Sequence, residues 1–152
     1  MGEQWRKDPI VLIEDDPNDV MFVQEALRHA NIGNPLRVHA SLGEAHRECA
    51  AVPTLNPALF ILDLNFPGAA TGFDFLRWVR GQPPPLGTTP AMVLTGSDRP
   101  ADHDMSLELG ALCFLRKPVL PTPFVDAVQA LGFVLVISRA SGETGFRIIQ
   151  RP

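Results

Sequence analysis

The chain has 152 residues, 45% hydrophobic and 20% charged, with a formal net charge of -4. That length suits one domain with a real core, and the acidic balance leaves no basic footprint for nucleic acid. The polar N-terminus has no signal-peptide core, no apolar run reaches bilayer-spanning length, and Cys49 and Cys113 lack metal-ligand spacing, so a cytoplasmic protein with reduced thiols and no membrane contact is expected.

Ile10-Val11-Leu12-Ile13 is an apolar, β-branched run that ends abruptly in Glu14, Asp15 and Asp16. Such a run suits a strand buried on both faces. Asp16 is placed to cap a helix opening at Pro17, and Asp19 falls in its first turn, where the helix dipole favours an anion. Val20, Val23, Leu27 and Ala30 then recur at helical spacing. Leu36 to Ala40 reads as a short strand after the Gly33-Asn34-Pro35 turn. Ser41 caps a helix to about Ala51, with Glu44 at the capping-box position.

Leu59-Phe60-Ile61-Leu62 is a third buried strand, closed by a single carboxylate, Asp63, ahead of the turn residues Pro67 and Gly68. A helix over 71–80 carries Phe73, Leu76, Trp78 and Val79. Three consecutive prolines between Gln82 and Leu86 predict loop. Ala91 to Thr95 forms the fourth strand, and a helix over 100–109 stops at Gly110, a C′ glycine. Ala111 to Leu115 forms the fifth strand, ending at Arg116-Lys117-Pro118. A last helix opens near Pro121 to Pro123 and is expected to run past Leu131, with Phe124, Val128, Leu131 and Leu135 as one core-facing stripe.

Five strand-helix alternations call for a parallel sheet with helices on both faces, because parallel neighbours need right-handed crossovers. Ligands in open sheets of this kind bind at the carboxyl ends of the strands. Four strand ends deliver groups suited to phosphoryl chemistry there: Glu14 with Asp15, then Asp63, Thr95 and Lys117. Clustered carboxylates need a cation to relieve them, and an all-oxygen set suits Mg2+, or Mn2+ in its place. Asp63 would attack in line to give an aspartyl phosphate, with the Lys117 charge and the Thr95 hydroxyl on the phosphate oxygens. Taken singly, each residue has a blander explanation: Asp16 as a cap, Asp63 as a turn former, Thr95 as an ordinary strand residue, Lys117 as a solvated charge.

In that order and at those positions, the residues resemble the response-regulator receiver domain over about Ile10 to Leu131. The resemblance implies a flavodoxin-like (βα)5 fold with strand order 2-1-3-4-5. It implies Asp63 as phosphoacceptor, Asp15 as direct metal ligand with Glu14 through water, and Asn65 as a backbone-carbonyl ligand. Thr95 and the aromatic Phe114 become the switch pair, Lys117 the phosphate-binding lysine, and Pro118 a cis-proline candidate. A sensor histidine kinase is the implied donor. Two departures stand out: Glu14 where the family more often has Asp, and a loop from Pro67 to Gly72 that is one residue longer than usual. The stretches 11–19 and 63–68 look most like small receivers that partner phytochrome-type kinases, so a bacteriophytochrome is the expected partner.

One domain is expected, with a core over about 9–137 and a tail over 138–152, leaving no room for a DNA-binding output domain. Phe133, Val136 and Ile137 fall off the core-facing stripe and are candidates for a homodimer interface, with Phe146-Arg147-Ile148-Ile149 as an arm. Three rival functions are open. A pseudo-receiver would be a phosphorylation-independent interaction module, although the full set of Asp15, Asp63, Thr95 and Lys117 argues against it. A haloacid-dehalogenase-like phosphatase wants Asp where Asn65 stands. A flavodoxin needs a phosphate-cradling loop where Glu14 and Asp15 stand.

Overall fold

The computed structural model describes residues 9–30, 32–52, 57–66, 71–96 and 99–130, together with 134–138 and 145–149, and the side chains of these as far as Ala127. The apolar runs become strands β1 (Ile10–Ile13), β2 (Leu36–His39), β3 (Leu59–Asp63), β4 (Ala91–Thr95) and β5 (Cys113–Arg116). They form one sheet in the order β2-β1-β3-β4-β5, and every pairing in it is parallel. Helices α1 (Pro17–His29), α2 (Leu42–Ala51), α3 (Gly72–Arg80), α4 (Pro100–Glu108) and α5 (Pro121–Ala130) follow the strands in turn. This is the doubly wound architecture expected.

Strand side chains alternate between faces, so each central strand feeds two cores. Ile10, Leu12, Leu59, Ile61, Met92 and Leu94 pack with Val23, Ala26 and Leu27 of α1 and Phe124 of α5. Val11, Ile13, Phe60, Leu62 and Val93 pack on the other side with Cys49 of α2 and Phe75, Leu76 and Val79 of α3. Both cysteines are free, and burial, with the Glu48 charge adding to it, pushes the Cys49 thiol up to about 11.

The helix starts follow the local chemistry. Asp16 accepts a hydrogen bond from the Asn18 N–H at 2.8 Å, and Ser41 Oγ accepts one from the Glu44 N–H at 3.1 Å. Each satisfies a donor that the helix itself leaves open. Thr71 caps α3 in partnership with Asp74, whose carboxylate accepts the Thr71 N–H at 2.8 Å. Gly110 ends α4 with φ 73°, the left-handed conformation that favours glycine there.

Three details differ from expectation. The proline-rich loop finishes in a 3-10 turn, Leu86–Thr88. Strand β5 starts at Cys113 rather than Ala111, because the Ala111 N–H is spent on the Ser106 carbonyl at the end of α4. The largest change is at the C-terminus. Helix α5 ends at Ala130, and Leu135, expected on its core-facing stripe, lies in strand β6 (Val134–Ser138), antiparallel to β7 (Gly145–Ile149). The apolar spacing there fits a helix, but Gly132 weakens one and the Val134-Leu135-Val136-Ile137 run is rich in β-branched residues, which favour a pleated pairing. The expected tail thus contains β7, and Phe133 lies outside the described residues.

Gly72 locks α3 beneath the end of β3. Its N–H donates to the Leu64 carbonyl at 3.2 Å, and a Cβ there would stand 2.3 Å from the Asp63 carbonyl oxygen. Only glycine allows that approach. Gly72→Ala is expected to destabilise the fold by about 1–3 kcal/mol through overpacking, seen in urea as a lower midpoint with an unchanged slope.

Candidate functional site

The parallel sheet brings the carboxyl ends of its strands to one edge, and alternation then assigns each residue a side. Leu12, Ile61 and Leu115 belong to the layer with α1 and α5. Glu14, Asp63 and Lys117, each two residues further on, therefore emerge on that side. Thr95, two residues beyond Val93, shares the opposite side with Phe114. Register sets the heights, pairing Asp63 with Leu94 and Thr95 with Arg116.

These placements produce a tight charge cluster. Glu14 and Asp63 are 2% and 3% exposed, while Asp15 is open to solvent. One carboxylate oxygen from each of the three lies within 4.8 Å of the other two. Lys117 Nζ sits 2.7 Å from Glu14 Oε2, 2.8 Å from Asp19 Oδ2 and 3.3 Å from Asp63 Oδ2. The Asp19 contact is a hydrogen bond. Glu14 Oε2 is buried with the Lys117 ammonium as its close partner. Backbone N–H groups steady the two buried acids: Asn65 donates to Asp63 Oδ1 at 3.3 Å and Asp16 to Glu14 Oε1 at 3.1 Å.

Burial pushes Glu14 up to about 7; Lys117 and the Asp16 N–H pull against it, and the Asp63 charge adds to the rise. Burial also raises Asp63, opposed chiefly by the Lys117 charge. For Lys117, burial acts to lower the pKa, but Asp19, Glu14 and Asp63 together outweigh it and hold the ammonium above its usual 10.5. Burial thus dominates for the two acids, and the acids dominate for the lysine.

The remaining expected residues are distributed as follows. Thr95 is fully buried, and its carbonyl accepts the Lys117 N–H at 2.9 Å. Phe114 is half-buried and meets His103 of α4 edge-on, with ring centroids 5.3 Å apart. The Lys117–Pro118 peptide bond is cis. Asn65 is exposed beside Asp63. Val136 and Ile137 fall in β6, where the backbone alone is described. Asp19 was not expected in the cluster. Its position in the first turn of α1 had a sufficient local reason, yet it lies one turn beyond the acidic pair, on the helix that flanks Lys117.

The donor set fits a hard divalent cation. It is all oxygen, and three carboxylates meet within reach of one ion. Among the described residues, no helix is long and apolar enough to cross a membrane.

The response regulator receiver domain family matches residues 10–129. The chain belongs to that family. This receiver domain is similar to the bacteriophytochrome response regulator RtBRR, at 29% identity and a TM-score of 0.76, over 90% of this chain and 86% of that one. It is also similar to the bacteriophytochrome response regulator AtBRR, at 32% identity and a TM-score of 0.69, over 83% and 93% of the two chains. A third solved structure, the Mn2+-bound form of response regulator Rcp1, is 30% identical with a TM-score of 0.66, over 82% and 91%. The receiver domain spans only 29% and 33% of the length of the first curated relatives it matches.

Because the folded pKa of Glu14 is about 7 against an ordinary 4.5, the stability tied to this group is fully present below 4.5 and is lost as pH rises through about 7. In metal-free protein, thermal melts from pH 5 to pH 8 are therefore expected to fall more steeply for the wild type than for Glu14→Gln. The two curves converging at all pH values would remove Glu14 as the source.

Proposed function

We propose that this receiver domain is the phosphoacceptor of a two-component phosphorelay, taking a phosphoryl group onto Asp63 from a phosphohistidine of a sensor histidine kinase. The observation that carries the reading is Lys117 Nζ lodged among Glu14, Asp19 and Asp63 at the strand ends. An Asp63 carboxylate oxygen attacks phosphorus, the new O–P bond forms as the N–P bond of the donor breaks, and the electron pair leaves on the imidazole nitrogen. Lys117 holds the phosphate oxygens by charge, and the Thr95 hydroxyl turns toward them. Phe114 follows Thr95, so the local charge biases a two-state element that a partner can read. Asp15 and Asp63, the Asn65 carbonyl, and Glu14 through water would hold Mg2+ or Mn2+, which spreads the charge that builds up on the transferring group. The Mn2+-bound form of the similar regulator Rcp1 supports that choice.

The domain acts as a phosphoacceptor, with no separate substrate to turn over. The likeness to RtBRR and AtBRR supports a bacteriophytochrome as the kinase. In this reading the receiver domain works in the cytoplasm and contacts neither nucleic acid nor membrane. A homodimer, expected through Phe133, Val136 and Ile137, belongs to this reading, with β6 carrying the last two. No observation favours a pseudo-receiver.

Incubation with Mg2+ and acetyl phosphate is expected to add one phosphoryl group per chain by intact mass. Asp63→Asn should abolish the label, and removal of divalent metal with EDTA should prevent it. An unlabelled wild type under these conditions would point to the pseudo-receiver instead.

A further inference from the structure

Asp19 has two relationships at once, and only one of them is explained by its helix. Its place in the first turn of α1 complements the dipole, which asks for nothing but a solvated carboxylate. It is instead bonded to an ammonium 98 positions away in the chain, at 2.8 Å. Lys117 has three N–H groups to share among three acids. By side chain, Asp19 is the most exposed of the three at 21%, against 1% for Glu14 and 3% for Asp63, yet it takes a 2.8 Å hydrogen bond from Lys117. Asp63, the residue that needs the charge when phosphorylated, has the longest contact, 3.3 Å. The backbone that carries Asp19 is fixed, because Val23, Ala26 and Leu27 bury α1 against the sheet.

From these contacts we infer that Asp19 is a positioning residue that competes with Asp63 for the Lys117 ammonium and so limits how tightly a phosphoryl group on Asp63 is gripped. This rests on the phosphoacceptor reading above. Phosphorylation exchanges a single negative charge on Asp63 for about two, which draws Lys117 inward. The Asp19 bond opposes that movement, so it sets where the balance lies between the unmodified and modified states.

The test uses the full chain and two measurements: the 15Nζ resonance of Lys117 in metal-free protein, and the affinity for beryllofluoride, a non-covalent phosphoryl mimic, in Mg2+. Asp19→Asn is expected to shift the Lys117 resonance and to raise beryllofluoride affinity roughly fivefold, the upper scale of a partly exposed ion pair. Asp19→Glu restores both. Glu25→Gln removes the same charge from the exposed face of α1, where Glu25 pairs with Arg28, and should change neither. Tighter binding in Glu25→Gln as well would reduce the effect to net charge and overturn the inference. Unchanged or weaker binding in Asp19→Asn, with the wild type binding normally, would overturn the inference alone. A wild type that binds no beryllofluoride and takes no phosphoryl group would remove the phosphoacceptor reading and the inference with it.

Discussion

One ammonium among too many carboxylates governs this structure. Lys117 lies within 3.3 Å of an oxygen on each of Glu14, Asp19 and Asp63, and Asp15 completes the acidic side of the cluster. Burying charge is tolerable only when it is paired, and a single lysine leaves a surplus of negative charge at the edge of the sheet. Burial raises Glu14 and Asp63 together, and the neighbouring carboxylates add to it. Chemically the surplus does two things. It gives a divalent cation a reason to enter, and it makes the lysine a shared resource whose division among the acids depends on what Asp63 carries.

Holding such an arrangement requires a scaffold that does not yield. The central strands supply it, with Ile10 to Ile13, Leu59 to Leu62 and Ala91 to Leu94 each at most 1% exposed. Buried on both faces and paired in parallel, β1, β3 and β4 fix the heights at which their end residues leave the sheet. Gly72 then brings α3 against the Asp63 backbone more closely than any side chain would permit. The charge cluster is therefore imposed by apolar packing around it, since its own net electrostatics do not favour assembly.

How much of this could be read from the chain depends on how local each cause was. Strands β1, β3 and β4 announced themselves as apolar runs, and the crossover rule made their sheet parallel; the strand order came with the family resemblance carried by Asp63, Thr95 and Lys117 at the strand ends. Asp19 stayed hidden because a first-turn acid already has a local reason to exist. Strand parity would have found it: Glu14 and Lys117 both emerge on the α1 side, so a first-turn carboxylate of that helix is within reach. The C-terminal hairpin was misread for another reason. Phe124, Val128, Leu131 and Leu135 satisfy helical periodicity, but position alone does not register that Val134 to Ile137 are stiff, strand-favouring side chains following a glycine.

The path from site to surface is also visible in how α4 is held. Ser106 is the buried residue of that helix, so little apolar packing ties it to the sheet. Its far end is instead secured by Arg80, which donates to the carbonyls of Leu109 at 2.9 Å and Gly110 at 3.4 Å while also bonding Thr89 at 2.7 Å. Near its start, His103 meets Phe114 of β5 edge-on. A helix anchored by polar bonds at one end and by one aromatic edge near the other responds unevenly. If Phe114 moves with Thr95 as proposed, His103 puts the first turns of α4, rather than the end held by Arg80, in the path of that movement. The apolar strands that hold the acids together need not be disturbed.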